Sequence, residues 1–147
     1  MPYWKCFYHV VWATKYREPS ILPAYEQVIF HAIRQQAEES GCTVLAVNGV
    51  ADHVHVALEI PPGLAVATCI GRLKGAASRA VNTSFERETR FHWQTGYGVV
   101  SFGESALPKI IAYVNGQKEH HARQQLNDYL ERAADEEGPA GCWKHPG

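Results

Sequence analysis

The sequence predicts a single α+β domain built on an antiparallel sheet, and three observations support this prediction. Segments rich in aromatic and β-branched residues, which are typical of strands, alternate with segments whose apolar residues recur at helical spacing. Two of the strand-like segments follow each other directly with only a short turn between them, which favours an antiparallel pair. The length of 147 residues suits one domain with its own core.

The first half of the chain is predicted to form a β-α-β-β unit. Residues 3–13 are aromatic and β-branched, as expected of a strand. A helix is predicted over residues 23–40, because a proline opens it, apolar residues recur at helical spacing and a glycine follows it. Two further strands are expected over residues 42–49 and 51–60.

The second half of the chain adds α-β-α. A helix is predicted over residues 64–82, a loop over residues 84–96, a strand over residues 97–102 and a last helix from about 106 to 126. The order β-α-β-β-α-β predicts a ferredoxin-like, RRM-like antiparallel sheet with helices on one face, to which the last helix is added.

Composition divides the chain into a domain, residues 1–127, and an acidic C-terminal tail, residues 128–147. The tail holds five acidic and two basic residues, so the domain is left with 12 basic and 10 acidic residues, a balance that permits a nucleic-acid partner. No membrane-spanning run and no signal peptide are visible, and a cytoplasmic location is expected. The glycine-rich motifs of nucleotide-dependent enzymes are absent, so no nucleotide cofactor is expected.

Two histidines lie within the apolar pattern of residues 51–60. Side chains alternate between the faces of a strand, so His53 and His55 point to the same side, about 7 Å apart along the strand, and can reach one metal ion. Two partly exposed strand residues without a ligand would give the same pattern. The residues alone leave both interpretations open.

The last predicted helix carries Tyr113, Gln117 and His121 at intervals of four, which places them on one face. A phenol can act as a nucleophile, and an amide oxygen suits Mg²⁺ or Mn²⁺. A divalent ion on a phosphate would compensate for the weak nucleophilicity of a phenol near neutral pH. The alternative is that Tyr113 packs in the core. Gly116 costs about 1 kcal/mol relative to alanine within a helix and predicts a bend or a close approach.

Basic residues occur at two places. Lys15 and Arg17 flank a tyrosine in the loop after the first strand, a combination suited to phosphates and stacked bases. Arg72, Lys74 and Arg79 give the second helix a basic side. We predict that these five residues bind DNA, although a solvated loop and a solvated helix face are the alternatives.

These elements together resemble the single-tyrosine HUH transposases, the TnpA-type enzymes of insertion sequences, to which the REP-associated tyrosine transposases are related. His53-Val54-His55 has the form His-hydrophobic-His, and residues 113–117 have the form Tyr-x-x-x-Gln. The resemblance extends over roughly residues 5–125 and includes matching phrases at residues 11–17, 71–75 and 93–98.

The resemblance implies that His53, His55 and Gln117 bind a divalent metal ion, Mg²⁺ or Mn²⁺. Tyr113 would attack the scissile phosphodiester of single-stranded DNA and form a 5′-phosphotyrosine, and a 3′-hydroxyl would later reverse the reaction. The implied partners are DNA hairpins at the ends of an element and a second copy of the chain, whose tyrosine helix can complete the site. The chain departs from the family's frequent Tyr-x-Glu-Asn-Gln at Asn115-Gly116.

Other classes of protein fit the residues less well. A histidine-triad hydrolase would require a histidine where Ala57 stands, and cupins are all-β. A noncatalytic, ferredoxin-like nucleic-acid-binding module would suit the fold but would leave the histidines and Tyr113 unexplained. A domesticated transposase that binds hairpins without mobilising them is a further alternative.

Overall fold

The structure, a computed structural model of the chain, describes residues 3–122 and 128–133. Four strands are present: β1 (Phe7–Ala13), β2 (Thr43–Val50), β3 (His53–Glu59) and β4 (Gly98–Phe102). The helices are α1 (Pro23–Glu39), α2 (Val66–Ser84), α3 (Leu107–Asn115), α4 (Gln117–Ala122) and α5 (Asp128–Glu131). Two short 3-10 turns cover Lys15–Arg17 and Glu104–Ala106.

The four strands form one antiparallel sheet in the order β2-β3-β1-β4. This is the strand order of a ferredoxin-like fold, and the predicted fold class is confirmed. β1 lies between β3 and β4, with Val11 opposite His55 and Ala13 opposite His53. β3, the strand with His53 and His55, lies between β2 and β1, so hydrogen bonds hold its backbone on both edges.

The two faces of the sheet serve different purposes. One face packs against α1 and α2 in the main core, where Trp12, Val56 and Leu58 from the strands meet Ile29 and Leu73 from the helices. Each of these side chains is fully buried. On the other face, Ala46 and Ala57 pack against Val114 of α3. Because strand side chains alternate, His53 and His55 belong to this second face.

The predicted last helix is divided in two. α3 ends at Asn115 and α4 begins at Gln117, with Gly116 between them in a non-helical conformation. The side chain of Asn48 donates a hydrogen bond to the carbonyl of Asn115, 3.0 Å away, and so ties the division to β2. Gly116 thus marks the bend that its low helix propensity predicted.

The loop predicted over residues 84–96 is largely irregular, and Trp93 within it forms an isolated β-bridge with Thr14.

Within residues 3–122 and 128–133, no helix is both long enough and apolar enough to span a lipid bilayer.

Candidate active site

Three buried histidines lie together on the second face of the sheet. His53 and His55 come from β3, and His9 comes from the neighbouring strand β1. His9 Nε2 and His55 Nδ1 are 2.8 Å apart and share a hydrogen bond. The sheet register therefore brings to the histidine pair a third imidazole that can fix the orientation of His55.

A carboxylate from beyond the predicted domain closes this group. Glu131, the last residue of α5, places Oε1 3.1 Å from His53 Nε2 and 3.3 Å from His55 Nε2. On the other side of His53, Nδ1 lies 2.7 Å from Oδ1 of Asp52. His53 thus bridges two carboxylates, and Glu131 bridges the two histidines.

Tyr113 lies beside the same group in the same chain. Its ring centre is 6.0 Å from that of His55, and its hydroxyl donates a hydrogen bond to Glu131 Oε2. One oxygen of Glu131 thus faces the histidines and the other faces the phenol. The predicted nucleophile and the predicted metal-binding strand meet here without a second subunit.

Gln117 begins α4 one turn beyond Tyr113. Its side chain is fully buried, and its Nε2 donates a long hydrogen bond of 3.4 Å to the carbonyl of Tyr113. Its Oε1 has no hydrogen-bond partner among the described residues. A buried amide oxygen without a partner is costly, and a ligand would satisfy it.

The pKa values of the group follow from burial and charge. Burial and the neighbouring His55 lower the pKa of His9 to about 3, so His9 is neutral. Burial opposes the protonation of His53, but hydrogen bonds to Asp52 and Glu131 outweigh it and raise the pKa of His53. Burial alone would raise the pKa of Glu131, yet hydrogen bonds from His53 and His55 hold it well below its usual range. Glu131 is therefore ionised.

The chemistry of these residues suits a metal ion. One ligand atom each from His53, His55 and Glu131 lie within 4.8 Å of one another. Bonds of about 2 Å keep the ligand atoms of one ion within about 4 Å of one another, and Glu131 Oε1, at 3.1 Å and 3.3 Å from the two Nε2 atoms, meets this condition. When each imidazole carries its proton only on Nδ1, facing Asp52 Oδ1 for His53 and His9 Nε2 for His55, the two Nε2 lone pairs and one carboxylate are left for the ion. The group can therefore bind a divalent metal.

Comparisons with known proteins identify the family. The model of the family described as "Transposase IS200 like" matches residues 2–117. The chain belongs to the IS200-like transposase family. The transposase of the insertion sequence element IS200 from Salmonella typhimurium is 32% identical over 121 residues, which cover 79% of each chain. The ISDra2 transposase TnpA of Deinococcus radiodurans is 25% identical over 115 residues, which cover 75% of this chain and 82% of that protein.

Solved structures give the same result for the fold. A putative transposase from Deinococcus radiodurans superimposes with a TM-score of 0.64 at 26% identity, covering 79% of this chain and 93% of that one. A REP-associated tyrosine transposase bound to a REP hairpin superimposes with a TM-score of 0.62 at 15% identity, covering 82% of this chain and 72% of that one. The resemblance to the single-tyrosine transposases is confirmed at the level of family and fold.

The basic residues of this IS200-like transposase do not form one surface. Arg72, Lys74 and Arg79 belong to α2, in the layer that covers the opposite face of the sheet from the histidines. Arg72 and Arg79 are exposed, whereas Lys74 donates hydrogen bonds to the carbonyls of Gln94 (3.0 Å) and Gly96 (2.8 Å). Burial lowers the pKa of Lys74. Its ammonium group therefore holds the loop before β4 in place.

Lys15 and Arg17 lie nearer to the candidate active site. Both are exposed, and Arg17 Nε is 3.8 Å from Oδ2 of Asp52, the residue whose other oxygen contacts His53. The loop with these two residues is thus connected to the histidine strand. Their predicted contact with DNA stays a prediction.

Two members of the candidate active site were not predicted from the sequence. His9 lies in an apolar strand, and only the register between β1 and β3 shows that it meets His55. Glu131 lies in the segment assigned to the acidic tail, where one glutamate among five acidic residues has no distinguishing spacing. The side chains of His120 and His121, and the rest of the tail, lie outside the described residues.

Proposed function

We propose that this IS200-like transposase cleaves and rejoins single-stranded DNA by transesterification, with Tyr113 as the nucleophile and a 5′-phosphotyrosine as the intermediate. The observation that carries the proposal is the shared carboxylate of Glu131, which contacts both histidines through Oε1 and the Tyr113 hydroxyl through Oε2. A nucleophile and a metal-ligating group that share one side chain suit a single reaction centre.

The proposed metal is Mg²⁺ or Mn²⁺, held by His53, His55 and Glu131. Gln117 stays a proposed ligand, because its buried Oε1 has no partner among the described residues and is the kind of hard donor that these ions prefer. The bound ion would withdraw charge from a phosphate oxygen and so stabilise the transition state of an in-line displacement.

The residues of the chain perform the remaining steps. Glu131 accepts the hydrogen bond of the phenol and so orients Tyr113 Oη. The depressed pKa of Glu131 makes it a weak base, so its role is positioning rather than lasting proton uptake. In the displacement, a bond forms between Tyr113 Oη and phosphorus and the bond from phosphorus to the 3′-oxygen breaks. Tyr113 Oη loses its proton when it forms this bond, and the leaving 3′-oxygen gains one proton and becomes a hydroxyl, so the protons balance.

The reverse reaction restores the DNA. A 3′-hydroxyl attacks the phosphotyrosine, the new phosphodiester forms, and Tyr113 leaves and regains a proton. The phosphodiester energy is kept in the intermediate, so no nucleotide is required. This agrees with the lack of a phosphate-binding glycine loop in the sequence.

The proposed substrate is a DNA hairpin with a single-stranded flank. The structural neighbour that was solved on a REP hairpin supports this choice, as does the basic loop beside Asp52. We also propose that the transposase forms a homodimer, although the contacts between Tyr113 and Glu131 are made within one chain.

The proposal is tested by incubating the protein with hairpin-bearing single-stranded DNA from the regions that flank its coding sequence, in Mg²⁺ or Mn²⁺, and separating the products on a denaturing gel. A covalent protein–DNA adduct is expected, and it should disappear in Tyr113→Phe. Tyr8→Phe, which removes a hydroxyl from the opposite face of the same sheet, is the matched control and should keep the adduct. An adduct that persists in Tyr113→Phe would assign the nucleophile to another residue.

A further inference from the structure

A turn beside the candidate active site holds an aromatic ring in solvent. Tyr16 is 79% exposed, and its φ of 59° and that of Arg17, 52°, lie in the left-handed region that residues other than glycine seldom adopt. Hydrogen bonds from Arg17 N to Thr14 O and from Thr14 Oγ1 to Glu18 O close the turn. The backbone thus keeps an unfavourable conformation that fixes the ring outside the core.

The ring borders an open cleft of about 640 Å³, a volume in the range of small-molecule sites. Residues 92–95 also line the cleft, and hydrogen bonds from Lys15 N to His92 O and from Gln94 N to Ala13 O join them to the turn. Trp93 is fixed by a hydrogen bond from its Nε1 to the carbonyl of Lys74. The cleft is therefore preformed and partly aromatic.

The turn brings two cations to the cleft. Lys15 Nζ is 5.3 Å from the centre of the Tyr16 ring, and Arg17 lines the same cleft. An adjoining depression shares Lys15, Tyr16 and His92 and adds Arg90, with Glu18 as the acidic residue of its lining. Cations around an exposed ring are the combination with which proteins bind single-stranded nucleic acids.

The cleft is also connected to the proposed metal-binding strand. Thr14 N donates a hydrogen bond of 2.9 Å to the carbonyl of Asp52, and Arg17 pairs with the carboxylate of Asp52. The same carboxylate contacts His53. A strand of DNA that reaches the histidines from this side would therefore pass the cleft.

We propose that this cleft binds one unpaired nucleotide of the DNA strand adjacent to the scissile phosphate, with its base stacked on Tyr16 and its phosphates near Lys15 and Arg17. The inference rests on the proposed function and adds a site for the single-stranded flank. The bases of a hairpin stem are already stacked on each other, so only an unpaired base can use the exposed ring.

The test measures binding of the protein to an oligodeoxythymidylate of about 15 nucleotides and to a duplex of the same length. One stacked base contributes roughly 5- to 150-fold in affinity. Tyr16→Ala should weaken single-strand binding by that factor and leave duplex binding within about twofold of wild type. Tyr16→Phe, which keeps the ring, should bind the single strand as wild type does. Tyr3→Ala is the matched control, since Tyr3 is 80% exposed and has Lys5 Nζ 5.8 Å from its ring centre.

A second measurement reports stacking directly. A 2-aminopurine placed along the oligonucleotide should lose fluorescence when it stacks on Tyr16, and this quenching should disappear in Tyr16→Ala but not in Tyr3→Ala. Unchanged single-strand binding in Tyr16→Ala, or an equal loss with duplex DNA, would overturn the inference. If Tyr113 still forms the covalent adduct under those conditions, the proposed function stands and only the cleft is excluded.

Discussion

At the scale of single residues, metal binding by His55 depends on which ring nitrogen carries its proton, and His9 can hold that proton on Nδ1. If His55 is to present Nε2 to a metal, its Nδ1 must carry the proton and donate a hydrogen bond to an acceptor. His9 Nε2 is 2.8 Å away, and the low pKa of His9 keeps this imidazole neutral and able to accept. His9 is thus a positioning residue for the proposed metal site.

This role predicts different effects for two substitutions of His9. His9→Ala should weaken Mn²⁺ binding about 10- to 100-fold, as is usual for loss of a residue that orients a ligand. His9→Gln should retain most of the affinity, because an amide oxygen can accept the same hydrogen bond. Titration calorimetry with Mn²⁺ measures both, and His31→Ala, on the exposed side of α1, is the control. Equal affinities for wild type and His9→Ala would contradict the role.

Lys74 is the residue whose sequence-based role and structural contacts differ most. The basic side of α2 predicted a DNA contact, whereas the ammonium group donates to the carbonyls of Gln94 and Gly96. Lys74→Met should therefore lower the free energy of unfolding by about 1–3 kcal/mol, while Arg79→Ala should change it by less than about 0.5 kcal/mol. Denaturant unfolding measures this difference.

The salt dependence of DNA binding decides the other role of Lys74. If Lys74→Met leaves stability unchanged but reduces the slope of log affinity against log salt by about one, Lys74 contacts a phosphate and the prediction from sequence holds. A loss of stability with an unchanged slope supports the structural role.

At the scale of elements, the short helix α5 brings Glu131 to the site because the backbone after it packs closely on β4. A Cβ added to Gly98 would overlap the carbonyl of Arg132, so the backbone after Glu131 lies directly on the strand. Val11 and Ala13 of β1 pack against Ala133 in the same place. The absence of a side chain at Gly98 thus allows Glu131 to reach the histidines.

Gly98→Ala should therefore displace Glu131 and reduce Mn²⁺ affinity to the level of Glu131→Ala. The double variant should be no weaker than either single variant, since both remove the same contact. Gly103→Ala, which has open space around its Cβ at the other end of β4, should bind the metal as wild type does. Additive losses in the double variant would show that Gly98 acts independently of Glu131.

Much of the fold is predictable from sequence, because periodicity and turn residues encode the elements locally. The strand with His53 and His55 and the helix with Tyr113 are predicted by alternation and by spacing of four. The contact of His9 with His55 depends on strand register, and that of Glu131 depends on how α5 docks. Both are tertiary relations between residues far apart in the chain, which local patterns do not contain.

At the scale of the whole molecule, the site is assembled from distant parts of one chain. β3 supplies the histidines, α3 supplies Tyr113 and α5 supplies Glu131, and the bend at Gly116 leaves Gln117 buried after it. The rings of His55 and Tyr113 in the same chain are 6.0 Å apart, so the histidines and the tyrosine meet without a second subunit.

Mixing two inactive variants tests whether the site works within one chain. His53→Ala lacks a proposed ligand and Tyr113→Phe lacks the proposed nucleophile, and a site within one chain cannot be restored by combining them. The mixture, unfolded and refolded together, should form no more adduct than either variant alone. Restored adduct would show that Tyr113 of one subunit works together with the histidines of a second subunit.

The central claim, that Tyr113 is the nucleophile, is tested most directly by locating the attachment site. Trypsin cuts after Lys109 and Lys118, and the peptide of residues 110–118 contains a single tyrosine, Tyr113. After nuclease digestion of the adduct, mass spectrometry should find a nucleotide linked through its 5′-phosphate on this peptide. A nucleotide on any other peptide, or an unmodified peptide of residues 110–118 in the purified adduct, would contradict the account.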